Sequence, residues 1–266
     1  MRVISITSGK GGVGKTNIAA NLGIALAERG KKVLVWDADL GLANVDVVLG
    51  LSSRYNISHL LSGERTLGEI LLEGPAGVKI MPASSGIQEM ASLNEEQKIN
   101  LLDELDAYDE PLDFLLIDTA AGIGPNVMYF NVAAQERIVV ATVEPTSIVD
   151  AYALIKVLCE KYGLKRFSIL VNAAPDAREA GAVFRLLTEV ADKHLPVVPA
   201  LDYLGYIPRD EAVPQAIRKQ KAVLEVYPAA EASRAFTALA GRLVHRPPES
   251  QADGNIAFFW RRLLNR

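Results

Sequence analysis

The sequence predicts an α/β fold, a mostly parallel central sheet flanked by helices on both faces, and three observations carry that prediction. Short apolar runs alternate along the chain with longer helical patterns, the order expected of successive βα units. Several of the runs, such as Val33-Leu34-Val35-Trp36 and Leu115-Leu116-Ile117, are continuous in apolar residues rather than alternating in polarity, as strands covered on both faces require. The first run also passes through a glycine-rich turn directly into helical spacing at Ile18, Leu22, Ala25 and Leu26.

In chain order the strand-like runs fall at 3–8, 32–37, 78–82, 114–118, 138–143, 167–172 and 203–207, each dominated by Val, Ile, Leu or aromatic residues. The helical patterns fall at 17–29, 94–108, 125–134, 148–162, 180–194, 211–219 and 231–245, so that most runs are followed by one. Ligand-binding residues in such a sheet belong at the carboxyl ends of the strands. The stretch 246–254, with two prolines and no apolar periodicity, reads as a linker. It separates a body of 1–245 from a tail of 255–266.

A chain of 266 residues, 50% hydrophobic and 23% charged, can bury one large core, so the body is expected to be one domain. No apolar run reaches membrane-spanning length. The apolar start at Val3 feeds straight into the glycine-rich turn, so it is expected to remain in the fold rather than be removed as a signal peptide. The single cysteine, Cys159, has no disulfide partner and cannot alone build a cysteine-rich metal site, which fits a reducing cytoplasm. His59, His194 and His245 lie far apart, without ligand spacing. A net charge of −4 argues against a body that coats nucleic acid.

The turn reads Gly9-Lys10-Gly11-Gly12-Val13-Gly14-Lys15-Thr16, a P-loop placed between strand and helix. Its glycines let successive N–H groups turn inward on a phosphate, and the helix N-terminus adds partial positive charge. On this reading no Cβ is tolerated at the glycines. Lys15 is expected to neutralise the β- and γ-phosphates of ATP, and the Thr16 hydroxyl to take one position on Mg²⁺. Two further runs end in carboxylates, at Asp37-Ala38-Asp39 and at Asp118. Mg²⁺ keeps most of its waters and needs a nearby carboxylate, so Asp118 is the natural partner and Asp37 a second one. Asp39, one step farther into its loop, is the candidate for orienting the attacking water. The alternative for Asp37 or Asp39 is to cap the turn that follows. Asn172 and the segment Gly205-Tyr206-Ile207-Pro208-Arg209-Asp210 also end strand-like runs, where an amide and a proline-bearing loop suit a purine base; strand-ending turns without ligand are the competing reading.

Gly9–Thr16, with its early Lys10, resembles the deviant Walker A motif of the MinD/ParA family, and the resemblance implies a P-loop NTPase fold. It implies that Lys10 reaches across an ATP-bound homodimer to the phosphates held by the other subunit, and that Asp39 is the residue associated with hydrolysis, alongside Lys10 and Lys15. Asn17, the stretches Asp37–Asp46, Asp118–Gly124 and Glu144–Lys156, and the ending Phe258–Leu264 are similar to the flagellar-number regulators of that family over essentially the whole chain. From this follow ATP or ADP with Mg²⁺ as ligands, slow partner-stimulated hydrolysis, and partners among the signal-recognition-type GTPase FlhF, C-ring proteins and a flagellar transcription factor. In some members an N-terminal extension engages and activates FlhF; here the chain starts at the first strand, so activation carried by that extension is not expected, while other surfaces remain open to the GTPase. Similarity also supports Asn172, Pro208, Arg209 and Asp210 as the adenine pocket.

In the tail, Ile256, Phe259, Trp260, Leu263 and Leu264 share one helical face, with Arg261, Arg262 and Arg266 on the other side or its border. Such a helix, about 17 Å long, cannot cross a hydrocarbon core of about 30 Å, but it can lie in the interface and bind membrane lipid reversibly. Two tails in an ATP dimer bind better than one, which gives a protein alternating between the cytoplasm and the inner face of the membrane. Permanent packing on its own body, or docking released by dimerisation, are the alternatives. Division-site placement of the MinD kind shares these motifs. DNA segregation of the ParA kind sits poorly with the acidic balance, so no specific nucleic acid is expected. An iron–sulfur reductase on the same fold lacks its cysteines here.

Overall fold

A computed structural model describes residues 1–39, 45–83, 103–104, 108 and 110–247. Its centre is a sheet of β1 (Arg2–Ser8), β2 (Val33–Ala38), β3 (Leu72–Glu73), β4 (Lys79–Met81), β5 (Phe114–Ala121), β6 (Glu136–Ala141), β7 (Arg166–Ala174) and β8 (Ala200–Pro208). The spatial order is β3-β4-β2-β5-β1-β6-β7-β8. Every pairing is parallel except the short β3 against β4.

The continuous apolar runs are explained by which face each residue serves. Ile4, Ile6, Val33, Val35, Leu116, Val140 and Leu170 enter one core, while Val3, Leu34, Trp36, Leu115, Ile117, Val139 and Ile169 enter the cores on the opposite face. Neighbours in sequence therefore point to opposite layers, and both layers are buried. The first face is covered by α1 (Lys15–Ala27), α2 (Val45–Val48), α8 (Ala212–Arg218), α9 (Val223–Val226) and α10 (Glu231–His245). The second carries α3 (Ile57–Leu61), α4 (Leu67–Ile70), α5 (Pro125–Ala133), α6 (Pro145–Tyr162) and α7 (Ala177–His194). Trp36 meets Phe130 of α5 edge-on, with centroids 4.8 Å apart.

All seven expected strands are present, and six of the seven expected helices. The helix expected over 94–108 lies almost wholly outside the described residues, as do the linker from 248 onward and the tail. Some starts differ. α1 begins at Lys15, inside the glycine-rich motif, because the P-loop curls directly into the first helical turn, and α6 begins at Pro145, whose fixed φ suits that position. β3, α2, α3, α4 and α9 were not anticipated, being too short for periodicity to mark them. Two of these did carry a local signal. α3 opens with a capping box of Asn56 and His59, and α4 with one of Thr66 and Glu69.

The chain's exit is fixed at the edge where the strands start. Arg2 pairs through Nε and Nη2 with the Glu136 carboxylate, both at 2.7 Å, and donates through Nη1 to the carbonyls of Leu243 and Arg246. Arg246 in turn bonds Ser168 Oγ at 3.0 Å and Asp202 at 2.6 Å. Among the described residues no helix is long and apolar enough to cross a membrane.

Candidate nucleotide site

The sheet turns in both directions from β1, with β5 and β2 on one side and β6 to β8 on the other. Residues beyond the carboxyl end of β1 therefore stand at the crevice such folds offer to ligands. The P-loop occupies that position. α1 begins after Gly14, which is left-handed at φ 92, with no side-chain cap and no acidic residue in its first turn. Its first amides are thus left to a ligand anion.

The glycines serve different ends, so the blanket expectation that none tolerates a Cβ is corrected. At Gly9 a Cβ would stand 2.0 Å from the Asp150 carbonyl oxygen on α6, and at Gly14 it would stand 2.4 Å from Asn172 Nδ2. Gly12 has open space but a φ of 75. Gly11 has room, since its Cβ would meet only Ala121 Cβ at 3.9 Å. Val13 is buried, and its carbonyl accepts from Asn172 Nδ2 at 2.7 Å, which ties the loop to the end of β7.

Lys15 is buried and donates to Ser8 Oγ at 3.0 Å. Burial pulls its pKa below the ordinary lysine value, against the opposing charges of Asp118 and Asp39. Asp118 is 1% exposed; neither oxygen meets a donor in full hydrogen-bond geometry, and the Thr16 hydroxyl lies close enough to act on it. Burial first, then the Asp37 charge, pushes its carboxyl up to about 7, although Thr16 and Lys15 pull the other way. Two orphaned carboxylate oxygens beside a threonine hydroxyl fit a hard cation such as Mg²⁺. No three His, Cys, Asp or Glu side chains converge on a metal among the described residues.

Asp37 stands beside Asp118 and also braces the loop that follows it. It is fully buried within β2, and its oxygens accept from the amides of Asp39 at 3.2 Å and Val45 at 3.0 Å. Its carboxylate therefore supports the loop that carries Asp39 and the start of α2, as the capping alternative has it, while its charge also acts on Asp118. Asp39 is half-buried and near enough for its charge to act on Lys15. Lys10 lies over the start of α6, where its ammonium bonds the Glu144 carboxylate and, at 2.8 Å, Thr146 Oγ1.

A cavity of about 250 Å³ brings together Asn17, Asn172, Pro208, Arg209 and Asp210 beside the P-loop helix. Asp210 lines it but has its oxygens engaged by the amides of Ala212 at 2.8 Å and Ala232 at 3.1 Å, so it braces α8 and α10. These amide bonds hold its carboxyl below the usual range. What this loop offers a base is backbone and the proline ring. Sequence reasoning missed Ala173, left-handed at φ 51, and Phe236, which also line the cavity. It missed Ser8, Glu144 and Thr146 as contacts of the two lysines as well. Their only signal was position, at or just past strand ends.

Residues 1–244 match a family profile described as ParA, NUBPL iron-transfer P-loop NTPase. Over 264 residues the chain is 47% identical to the antiactivator FleN of Pseudomonas aeruginosa, covering 99% of this chain and 94% of that protein. It is 34% identical to the flagellum site-determining protein YlxH of Helicobacter pylori, covering 99% and 90% respectively. Among solved structures it is similar to MinD in the MinC:MinD cell division complex of Aquifex aeolicus, with a TM-score of 0.72, 28% identity, and coverage of 96% of this chain and 100% of that one. Similar too is MinD of Pyrococcus horikoshii complexed with Mg-ADP, with a TM-score of 0.69, 27% identity, and coverage of 91% and 95%.

Proposed function

The chain belongs to the ParA/MinD family of P-loop NTPases, and from that premise we propose that it is an ATP-hydrolysing switch that sets the number and placement of bacterial flagella. The observation that carries this reading is likeness to an antiactivator and to a flagellum site-determining protein along nearly the whole chain. Relatives named as MinD cover less of it, for example 38% identity over 80% of the chain, so division-site placement is the second reading. The iron-transfer part of the family description finds no support in a chain with one cysteine.

The nucleotide is ATP or ADP with Mg²⁺, and when bound the metal screens the charge of the phosphates. The chain's own residues do the rest. The P-loop amides and Lys15 hold the phosphates, Thr16 and Asp118 face the metal, and Asn17, Asn172, Pro208, Arg209 and Asp210 frame the base. Asp39 orients the water that attacks the terminal phosphorus, a step that needs placement more than basicity. Lys10 is half-exposed, and once released from Glu144 and Thr146 it serves the triphosphate of a second copy. ATP then joins the homodimer and slow hydrolysis parts it. The dimer attaches to the inner face of the membrane through residues 255–266 and presents surfaces to flagellar partners. An antiactivator's name fits a transcription factor as one of these, with FlhF and C-ring proteins as others.

Sedimentation with ADP and with ATP tests the switch. Asp39→Ala is expected to bind ATP and accumulate as a dimer with turnover reduced at least about 10-fold, the loss typical of a missing positioning group. Lys15→Ala loses binding and dimer alike. Equal turnover by wild type and Asp39→Ala overturns the role of Asp39. A protein that stays monomeric with a non-hydrolysable ATP analogue overturns the switch. Flagellar counts and septum positions in a deletion strain separate the two biological readings.

A further inference from the structure

Ser8 is the last residue of β1, fully buried, and it meets three parts of the site at once. Its hydroxyl donates to the Lys10 carbonyl at 2.7 Å and accepts from Lys15 Nζ at 3.0 Å, while its own carbonyl accepts from the Gly122 amide at 2.9 Å. Gly122 follows β5 directly, four residues after Asp118. We propose that Ser8 is a positioning residue that parks the Lys15 ammonium on a neutral acceptor and so keeps it off Asp118.

The argument is one of competing acceptors. A serine hydroxyl has one proton, and here the Lys10 carbonyl takes it, so only lone pairs face Lys15. A buried ammonium must find an acceptor, and its strongest available alternative is Asp118, neither of whose oxygens meets a donor in full hydrogen-bond geometry and whose charge already reaches Lys15. A direct lysine–carboxylate pair is roughly twice as strong as a bond to a neutral oxygen. If Lys15 settled there, it would block the carboxylate that faces the metal and would itself be harder to hand to a phosphate. Ser8 holds the cation in a weaker, reversible contact, and the Gly122 amide fixes Ser8 relative to β5. Both charged groups therefore stay available until Mg-ATP arrives.

This inference rests on the ATPase reading, and its test separates the two. Binding of a fluorescent ATP analogue is titrated with Mg²⁺, and measured again in EDTA, for wild type, Ser8→Ala, Ser8→Cys and Ser8→Thr. In the alanine and cysteine variants the Mg²⁺ concentration giving half the tightening is expected to rise about five- to tenfold, as a competing ion pair requires. Binding in EDTA should weaken by less than the Mg²⁺-dependent tightening does, because without the metal only the hand-over of Lys15 to the phosphates is impaired. Ser8→Thr restores the wild-type midpoint. Ser8→Cys is near in size and keeps the test open should the alanine variant misfold, as judged by circular dichroism. An unchanged midpoint in the folded variants, or an equal loss with and without Mg²⁺, overturns the role of Ser8. Absence of any Mg²⁺-dependent binding in the wild type would instead overturn the ATPase reading.

Discussion

Asp210 shows how a residue can stand at a ligand edge and owe its position to the fold. Its oxygens receive amides from the start of α8 and the start of α10, the two elements that close the cavity beside Asn172. Capping bonds of this kind are worth about 1–2 kcal/mol, so Asp210→Ala is expected to lower the melting temperature by about 2–8 °C and to weaken nucleotide binding without altering turnover at saturation. The pH dependence has a definite sign. A carboxyl held below its ordinary pKa adds stability above that ordinary value and loses it as pH falls through the lowered one. The difference in melting temperature between wild type and variant should therefore be full at neutral pH and shrink in acid. A difference that stays constant down to strong acid would show that the carboxylate charge is not what the amides hold. At this scale the sequence named residues more securely than roles. Asp37, Asp39, Asp118 and Asp210 all stand at the carboxyl edge, as their positions at run ends implied. Which oxygens are used by amides and which are left free depends on loop paths that no spacing rule encodes.

Between elements, the informative features are polar. Asn131 of α5 is fully buried; its amide donates to Thr7 Oγ1 at 3.0 Å and to the Val127 carbonyl at 2.7 Å, and its Oδ1 accepts from Ser5 Oγ at 3.0 Å. Arg137 closes the group by donating to the Asn131 carbonyl at 2.8 Å. This network pins the helix after β5 to the strand that ends in the P-loop. Asn131→Ala would leave buried hydroxyls short of a partner, at a cost of about 1–3 kcal/mol, or a fall of several degrees in the melting temperature by calorimetry. A melting temperature within a degree of wild type would mean that water replaces the amide. The strands were legible because each apolar run is long and serves two cores at once. The network was not, since Ser5 and Thr7 within β1 read as ordinary interruptions of an apolar run and nothing in the spacing around Asn131 marks it as buried. The short α3 and α4 follow the same logic. Their capping boxes are local and readable, but two turns or fewer offer periodicity nothing to act on.

Across the whole molecule, the nucleotide edge and the point where the chain leaves the body lie at opposite ends of the sheet. The P-loop follows the last residue of β1, whereas Arg2, the first residue of the same strand, is bonded to Glu136 and to the carbonyls of Leu243 and Arg246. A seven-residue strand separates the two by about 23 Å at about 3.3 Å per residue. A second copy seated on the P-loop face therefore leaves both exit points uncovered. The nine residues 246–254 can span at most roughly 30 Å when extended. On the proposed reading residues 255–266 of each copy bind lipid modestly, and joining two such segments raises the apparent affinity by about 10²–10⁴. Wild type with ADP is accordingly expected to leave vesicles containing anionic lipid largely in the supernatant, and Asp39→Ala with ATP to sediment with them. Phe259→Glu in the Asp39→Ala background should abolish sedimentation while leaving the dimer intact. Removing Arg261 and Arg262 should weaken it most at low salt, since their attraction is screened over about 10 Å at 0.1 M ionic strength. Binding to vesicles that is equal with ADP and ATP would detach the tail from the nucleotide cycle, and the clamp around Arg2 would then serve only to finish the fold.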